Sequence, residues 1–184
     1  HNPDNRFWSV TARKGFLRLT TGRTDSLFVR SRNTLTQRTF GPLCSGSTMI
    51  DVSGMKEGDV AGLAAFQRKF GQVGVKMKDG KKYLFMTNDE TNTPVEIQTI
   101  PLLQSAVYLK IECDFRNKAD KARFFYSLDG IKWDPIGNTL HMEYTLMEHF
   151  MGYRFALFNY ATKEAGGYTD FDFFHISDQI SHHE

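Results

Sequence analysis

Two aspartates near the end of the chain have the residue type and spacing of a catalytic or metal-binding pair. Asp170 and Asp172 lie two residues apart in the stretch GYRFALFNYATKEAGGYTDFDFFHIS, which begins at Gly152. Residues i and i+2 of a strand share a face about 6.5–7 Å apart, and the two carboxyl groups of a glycosidase lie about 5–9.5 Å apart. The pair could therefore serve a free-standing glycosidase or polysaccharide lyase. Carboxylates on one strand, however, more often occupy a solvated face or a strand end.

Other signatures of catalysis are missing from the sequence. It contains neither a G-x-S-x-G nucleophile elbow nor an HExxH zinc motif. The two cysteines, Cys44 and Cys113, lack the spacing of a zinc or redox site and are either buried free thiols or a single disulfide. These observations weaken the enzyme hypothesis.

A structural calcium ion is a second interpretation of the same aspartates. Calcium prefers carboxylate and carbonyl oxygens, and the first and last strands of a jelly roll are often neighbours. Asp172 could therefore share a calcium ion with Asp4, together with Asn2 or Asn5. Alternatively, Asp172 only accepts hydrogen bonds from backbone amides where the strands converge.

Sugar binding is a third interpretation. Sugars stack their apolar faces on aromatic rings and present hydroxyl groups to polar side chains at the edge. Each aromatic residue could instead pack in the core, and the glutamines in strand-like runs could find a protein partner in place of a ligand. The candidate residues are Gln37, Arg38, Phe40, Gln67, Phe158, Asn159, Tyr160 and Trp8, with Trp133 as a further platform.

The elements that must position these residues read as strands. FLRLTT alternates apolar and polar residues, and AVYLKIECDFRN places Val107, Leu109, Ile111, Cys113 and Phe115 on one face. Asp-Gly pairs at 79–80 and 129–130 predict two hairpins. The segment SGMKEGDVAGLAAFQRKF is interrupted by glycines and predicts a turn leading into a strand, whereas Met142–Met151 could form one helical turn or a loop.

About a dozen such strands predict an all-β fold of two packed antiparallel sheets, of the jelly-roll type. We expect one β-sandwich over residues 1–178 and a C-terminal tail over residues 179–184. The net charge of +2 argues against a nucleic-acid partner, and no run of 18 apolar residues predicts a membrane span. Because the first residue is His1, we expect the chain to be a piece of a longer protein.

Five ordered blocks of the sequence resemble one known family. They are HNPDNRFWSVTARKGFLRL, RNTLTQRTFGPLCSG, MKEGDVAGLAAFQ, FFYSLDGIKW and GYRFALFNYATKEAGGYTDFDFF. Together they resemble the C-terminal β-sandwich module of family 43 glycoside hydrolases, chiefly β-xylosidases and α-arabinofuranosidases. The resemblance runs from about His1 to Ile176.

The resemblance implies a concanavalin A-like sandwich that follows a catalytic five-bladed propeller in the parent enzyme. It implies an accessory domain without catalytic residues of its own, with xylan or xylo-oligosaccharides as ligands. The alternative is a purely structural domain that stabilises the propeller and borders its active site without binding sugar.

Overall fold

The protein is described by a computed structural model over residues 4–143 and 152–181. Short runs of β-branched and aromatic residues form its strands, and two 3₁₀ turns cover Phe28–Arg30 and Arg116–Lys118. The strands are β1 (Trp8–Ser9), β2 (Leu17–Thr20), β3 (Thr34–Arg38), β4 (Leu43–Asp51), β5 (Asp59–Phe66), β6 (Phe70–Lys78), β7 (Lys81–Asn88), β8 (Val95–Leu102), β9 (Ala106–Asp114), β10 (Lys121–Ser127), β11 (Asp134–Pro135), β12 (Leu140–His141), β13 (Arg154–Ala161) and β14 (Tyr168–Ser177).

The strands form two antiparallel sheets. The eight-stranded sheet has the order β1-β2-β14-β4-β9-β10-β11, with β12 paired to β10. The six-stranded sheet has the order β3-β13-β5-β6-β7-β8. The prediction of an all-β, two-sheet sandwich is confirmed. The glycine-interrupted segment also forms a strand as predicted, namely β5.

The core lies between the sheets and follows from the period-two alternation of apolar residues. In β9, the side chains of Val107, Leu109, Ile111 and Cys113 are fully buried, as predicted, whereas Phe115 lies beyond the end of the strand. Cys44 of β4 is directly opposite Cys113, and both are buried free thiols.

The predicted hairpins form, but their turns differ. Asp79 and Gly80 both have positive φ and join Lys78 to Lys81 in a two-residue turn. Asp129–Gly130 lies within a longer connection between β10 and β11. There the Asp129 carboxylate accepts hydrogen bonds from the backbone amides of two following residues, which stabilises a wider loop.

The connections gather at two ends of the sandwich. One end holds the β5–β6 hairpin turn and the β7–β8 connection, and the other holds the β4–β5, β8–β9 and β10–β11 connections. The segment Met142–Met151 lies mostly outside the described residues. Within the described residues, no helix is long and apolar enough to cross a membrane.

Candidate functional site

The outer face of the six-stranded sheet, turned away from the other sheet, holds the candidate site. On this face Ala64 is opposite Gln72 and Gly62 is opposite Gly74. A Cβ atom at either glycine would collide with the backbone of the facing strand. The two central strands of the sheet therefore approach each other so closely that only glycine fits.

An aromatic cluster covers part of this outer face. Phe28, in the 3₁₀ turn that follows β2, places its ring 5.3 Å from the ring of Phe66, 5.0 Å from that of Phe70 and 4.8 Å from that of Phe158. The geometries are edge-on or tilted, as favoured for aromatic pairs. These ring contacts hold the loop around Phe28 against the outer face of the sheet.

Tyr160 extends the cluster along β13. Its ring lies 6.0 Å from that of Phe158. Burial raises the pKa of the Tyr160 hydroxyl to about 12, and a hydrogen bond with Gln72 opposes that rise. The Oε1 atom of Gln72 is buried without a hydrogen-bond partner among the described residues.

A pocket of about 310 Å³ lies where the outer face meets the β5–β6 turn. Its walls come from the loop around Phe28, the β5–β6 hairpin and the β7–β8 connection. The apolar part of the lining consists of Leu27, Val29, Phe66 and Phe70, with Pro94. The polar part consists of Gln67, Arg68, Asp89 and Asn92. Aromatic and aliphatic walls with a few polar groups are typical of small-molecule sites.

Asp89 is the acidic group of the pocket. Its backbone amide donates to the Phe70 carbonyl over 2.8 Å, which fixes the residue beside β6. Its side chain is buried, and Oδ1 has no hydrogen-bond partner among the described residues. Burial raises the pKa of Asp89, and the nearby Lys69 ammonium opposes that rise. A buried carboxylate oxygen without a donor is costly unless a ligand or water supplies one.

The structure brings some of the predicted sugar-binding residues together. Gln67 lines the pocket, whereas Tyr160 is buried on the outer face of the same sheet, opposite Val60 and away from the β5–β6 turn. Arg38 is exposed on the edge strand opposite Arg154, whose other neighbour is Phe66. Proximity in the fold thus links three sequence segments that are distant along the chain.

Two of the predicted contact residues, Phe158 and Asn159, are fully buried. Phe158 is fully buried beneath the ring of Phe28. Asn159 is fully buried, and its Nδ2 donates to the Leu19 carbonyl over 2.7 Å. Successive residues of β13 point to opposite faces of the sheet. Phe158 points into the aromatic cluster on the outer face and Asn159 points between the two sheets, so neither side chain is exposed to a ligand at the surface.

The remaining predicted residues lie apart from the pocket. Gln37 is exposed on the edge strand, and its neighbour across the strand pair is the core residue Phe155. Phe40 is partly exposed just before the cis Gly41–Pro42 bond. Trp8 lies in β1 at the edge of the other sheet, where its Nε1 donates to Asn5. A sugar-binding role for Gln37, Phe40 and Trp8 stays a prediction.

Asp170 has a structural environment. Its carboxylate receives the Arg18 guanidinium at 2.7 and 2.9 Å and Arg13 at 3.3 Å. Arg13 also binds Asp51 at 2.7 Å. A register shift between Phe171 and Phe174 follows, and Asp172 is exposed. The carboxylates at 170 and 172 therefore have different environments, and Asp170 is neutralised by two arginines.

Of the candidate calcium ligands, Asp4, Asn5 and Asp172 lie within the described residues. The Asp4 carboxylate is bound by Arg6 at 2.6 Å. Among residues 4–143 and 152–181, no three His, Cys, Asp or Glu side chains cluster in a way that could hold a metal ion. Asn2, another candidate ligand, lies outside these residues, so calcium binding by Asp172 and Asp4 stays a prediction.

Sequence reasoning missed most of the pocket. Leu27, Val29 and Asp89 lie in polar, turn-rich stretches whose composition predicts only loops. Phe66 and Phe70 flank the β5–β6 turn and read as ordinary strand residues. The pattern carries no signal that the loop around Phe28 folds back over the sheet, since that placement depends on distant aromatic contacts.

Comparison with known proteins gives consistent matches. The family described as "Beta xylosidase C-terminal Concanavalin A-like domain" matches residues 1–177. A β-xylosidase from Formosa agariphila is 31% identical over 199 residues, covering 95% of this chain and 31% of the relative.

Solved structures agree. A structure described as a bifunctional GH43-CE protein of Bacteroides eggerthii is 66% identical, with a TM-score of 0.96 over 98% of this chain and 23% of that one. A GH43 glycoside hydrolase engineered to display both endo-xylanase and exo-arabinofuranosidase activity has a TM-score of 0.89 at 29% identity, over 97% of this chain and 37% of that one. The chain therefore spans well under half the length of these relatives.

Proposed function

Because the chain belongs to the family of C-terminal concanavalin A-like domains of β-xylosidases, and is thus the C-terminal β-sandwich of a family 43 glycoside hydrolase, we propose that it is a non-catalytic carbohydrate-binding domain. Its ligand would be xylan or xylo-oligosaccharides. In the parent enzyme it would hold this substrate close to a catalytic propeller.

The observation that carries the proposal is the pocket beside the β5–β6 turn. It combines the partly exposed Phe66 ring and the exposed Leu27 and Val29 with the carboxylate of Asp89 and the amide of Gln67. A pentose presents an apolar C–H face to such a wall and hydroxyl donors to such a carboxylate. Relatives described as a β-xylosidase and as an enzyme with endo-xylanase activity support xylose-based ligands.

The expected affinity is modest. Each sugar hydroxyl exchanges a hydrogen bond with water for one with protein, and the net gain of such an exchange is about 0.5–1.5 kcal/mol. Association also costs rotational and translational freedom. We therefore expect a Kd between about 1 µM and 1 mM, which corresponds to a binding free energy of about −8 to −4 kcal/mol.

Isothermal titration with xylohexaose, together with gel retardation in soluble xylan, tests the proposal. Leu27→Trp places a bulky ring at the pocket wall and should abolish binding. Leu35→Trp, a similarly exposed leucine on the edge strand, is the matched control and should bind normally. Absence of heat and of retardation with the unmodified protein would exclude xylan and xylohexaose as ligands.

A structural role is the second candidate, and a specific observation favours it. At the end of the sandwich opposite the pocket, Leu103 is 100% exposed, Ile131 is 85% exposed and Leu128 is 51% exposed. The Gln104 side chain donates to the Leu128 carbonyl, which ties the two loops together. A group of exposed large apolar side chains is typical of an interaction surface, and here a catalytic propeller would cover it.

Replacing Leu103 and Ile131 with serine discriminates between the two candidates. If the domain acts only as a scaffold, these changes should lower the thermal stability of a parent enzyme, and the isolated chain should not be retarded by xylan with or without them. Unchanged stability of the parent enzyme would contradict the scaffold role.

A further inference from the structure

We propose that the pocket holds the terminal sugar of a neutral oligosaccharide chain, so that the domain recognises a chain end and not the middle of a polysaccharide. This inference rests on the proposed sugar-binding function and specifies its ligand. It follows from the enclosure, the size and the polar groups of the pocket.

Enclosure comes from three separate segments. Leu27 and Val29 come from the loop around Phe28, and Gln67 and Arg68 come from the β5–β6 turn. Asp89 belongs to the β7–β8 connection, on the other side of β6. A groove for the middle of a polysaccharide needs two open ends so that the chain can continue in both directions. Here the β5–β6 hairpin lies between the two side walls, so the proposal expects the chain to continue in one direction only.

The size of the pocket also favours a short ligand segment. At about 310 Å³ it lies at the lower limit of small-molecule sites, which measure about 300–1,000 Å³. One or two sugar rings fit such a volume, and the rest of the chain must leave through the open side. An internal segment would have to enter and leave through that same side.

The polar groups match the hydroxyl pattern of a terminal sugar. Each glycosidic linkage removes a hydroxyl group, so a terminal residue offers more donors than an internal one. Asp89, with a buried oxygen that lacks a donor, can accept from such hydroxyls. The Gln67 amide is at the same pocket and is nearly fully buried.

The charges of the pocket favour a neutral sugar. Burial already disfavours the ionised form of Asp89, and an acidic sugar would add a second negative charge beside it. The nearby cations already have partners within the protein, since Lys69 forms an ion pair with Glu143 and Arg68 also interacts within the protein, so they do not offer an acidic sugar a free counter-charge. A neutral pentose avoids that like-charge repulsion.

Titration of the 184-residue chain with xylobiose, xylotriose and xylohexaose tests the inference. Binding of a chain end predicts one protein per sugar chain and Kd values, expressed per chain, that agree within about threefold for the three sugars. A groove would instead gain affinity with each added xylose and would accept several proteins on a long chain, and that result overturns the inference while sugar binding stands. No binding to any sugar overturns both proposals.

Two variants of pocket residues test whether the sugar binds in the pocket. Asp89→Asn should weaken binding of all three sugars about tenfold, because it removes a charged acceptor. Asp178→Asn, which changes an exposed carboxylate just before the tail, should leave the affinity unchanged. If Asp89→Asn does not fold, Leu27→Trp gives the same test at an exposed site. Normal binding by both pocket variants would overturn the inference.

Discussion

The carboxyl group of Asp59 should make the stability of the domain depend on pH. Asp59 begins β5 and is fully buried. Its Oδ2 accepts the backbone amide of Lys56 at 2.7 Å, whereas Oδ1 has no hydrogen-bond partner among the described residues. Burial raises the pKa of Asp59 to about 6, although the Lys56 amide and ammonium favour the ionised form. The perturbation that isolates this effect is Asp59→Asn, which has the same shape and no charge.

The sign and size of the effect follow from linkage. The ordinary pKa of 3.8 applies to the unfolded chain, so the folded state binds more protons between about pH 4 and pH 6. The contribution of protonated Asp59 is therefore fully present below pH 4 and is lost as the pH rises through 6. A pKa of about 6 in place of 3.8 corresponds to about 3 kcal/mol.

Urea denaturation of both proteins at pH 4.0, 5.0, 6.0 and 7.5 measures the effect. The difference in unfolding free energy between Asp59→Asn and the unmodified chain should shift by about 2–3 kcal/mol in favour of the variant between pH 4.0 and 7.5. The asparagine side chain could lower stability by leaving a polar group unpaired, but that cost does not depend on pH and therefore does not affect the shift. Parallel stability curves for the two proteins would refute the reasoning.

Glu57→Gln provides a control of opposite sign. Hydrogen bonds from Lys163 and from the backbone amides of Gly80 and Asp79 lower the pKa of Glu57 to about 2. Its contribution is present above the ordinary pKa of 4.5 and is lost as the pH falls towards 2. The Glu57→Gln variant should therefore differ most from the unmodified chain at neutral pH and approach it in acid.

Three further predictions concern packing. Arg18→Leu leaves the buried Asp170 with one weaker arginine contact and should destabilise the domain by about 3–5 kcal/mol in urea denaturation; a loss below 1 kcal/mol would show that the pair is dispensable. Gly74→Ala forces a methyl group against the Ala61 carbonyl and should cost about 1–3 kcal/mol, while Gly152→Ala, with open space around its Cα, should cost little. The two cysteines are fully buried and should react with a thiol reagent only after unfolding; rapid reaction in the native state would contradict their placement.

The fold was predictable because each strand carries its own local signal. The alternation along β9 and the Asp79–Gly80 turn depend only on neighbouring residues, and both are observed. The register shift in β14 has no such signal, so the equal spacing of Asp170 and Asp172 suggested a shared face that the structure does not show.

The site was less predictable because its residues depend on packing between distant segments. Asn159 was predicted to contact a ligand, yet it is fully buried and donates to the Leu19 carbonyl, 140 positions earlier in the chain. Gln67 was found because a polar residue in an apolar run needs a partner. Asp89 was missed because nothing in its sequence neighbourhood shows that its carboxylate is buried.

The position of the last two strands has a consequence for how the domain assembles. β14 lies between β2 and β4, and β13 lies between β3 and β5, so both are interior strands of their sheets. Contacts such as Arg18 with Asp170 and Thr36 with Arg154 join residues 152 and 118 positions apart. Such non-local pairing is typical of slow folding, on the scale of milliseconds to seconds. Until residues 154–177 insert, the first three strands have no place in either sheet, and β4 and β5 present open edges that can pair with other chains.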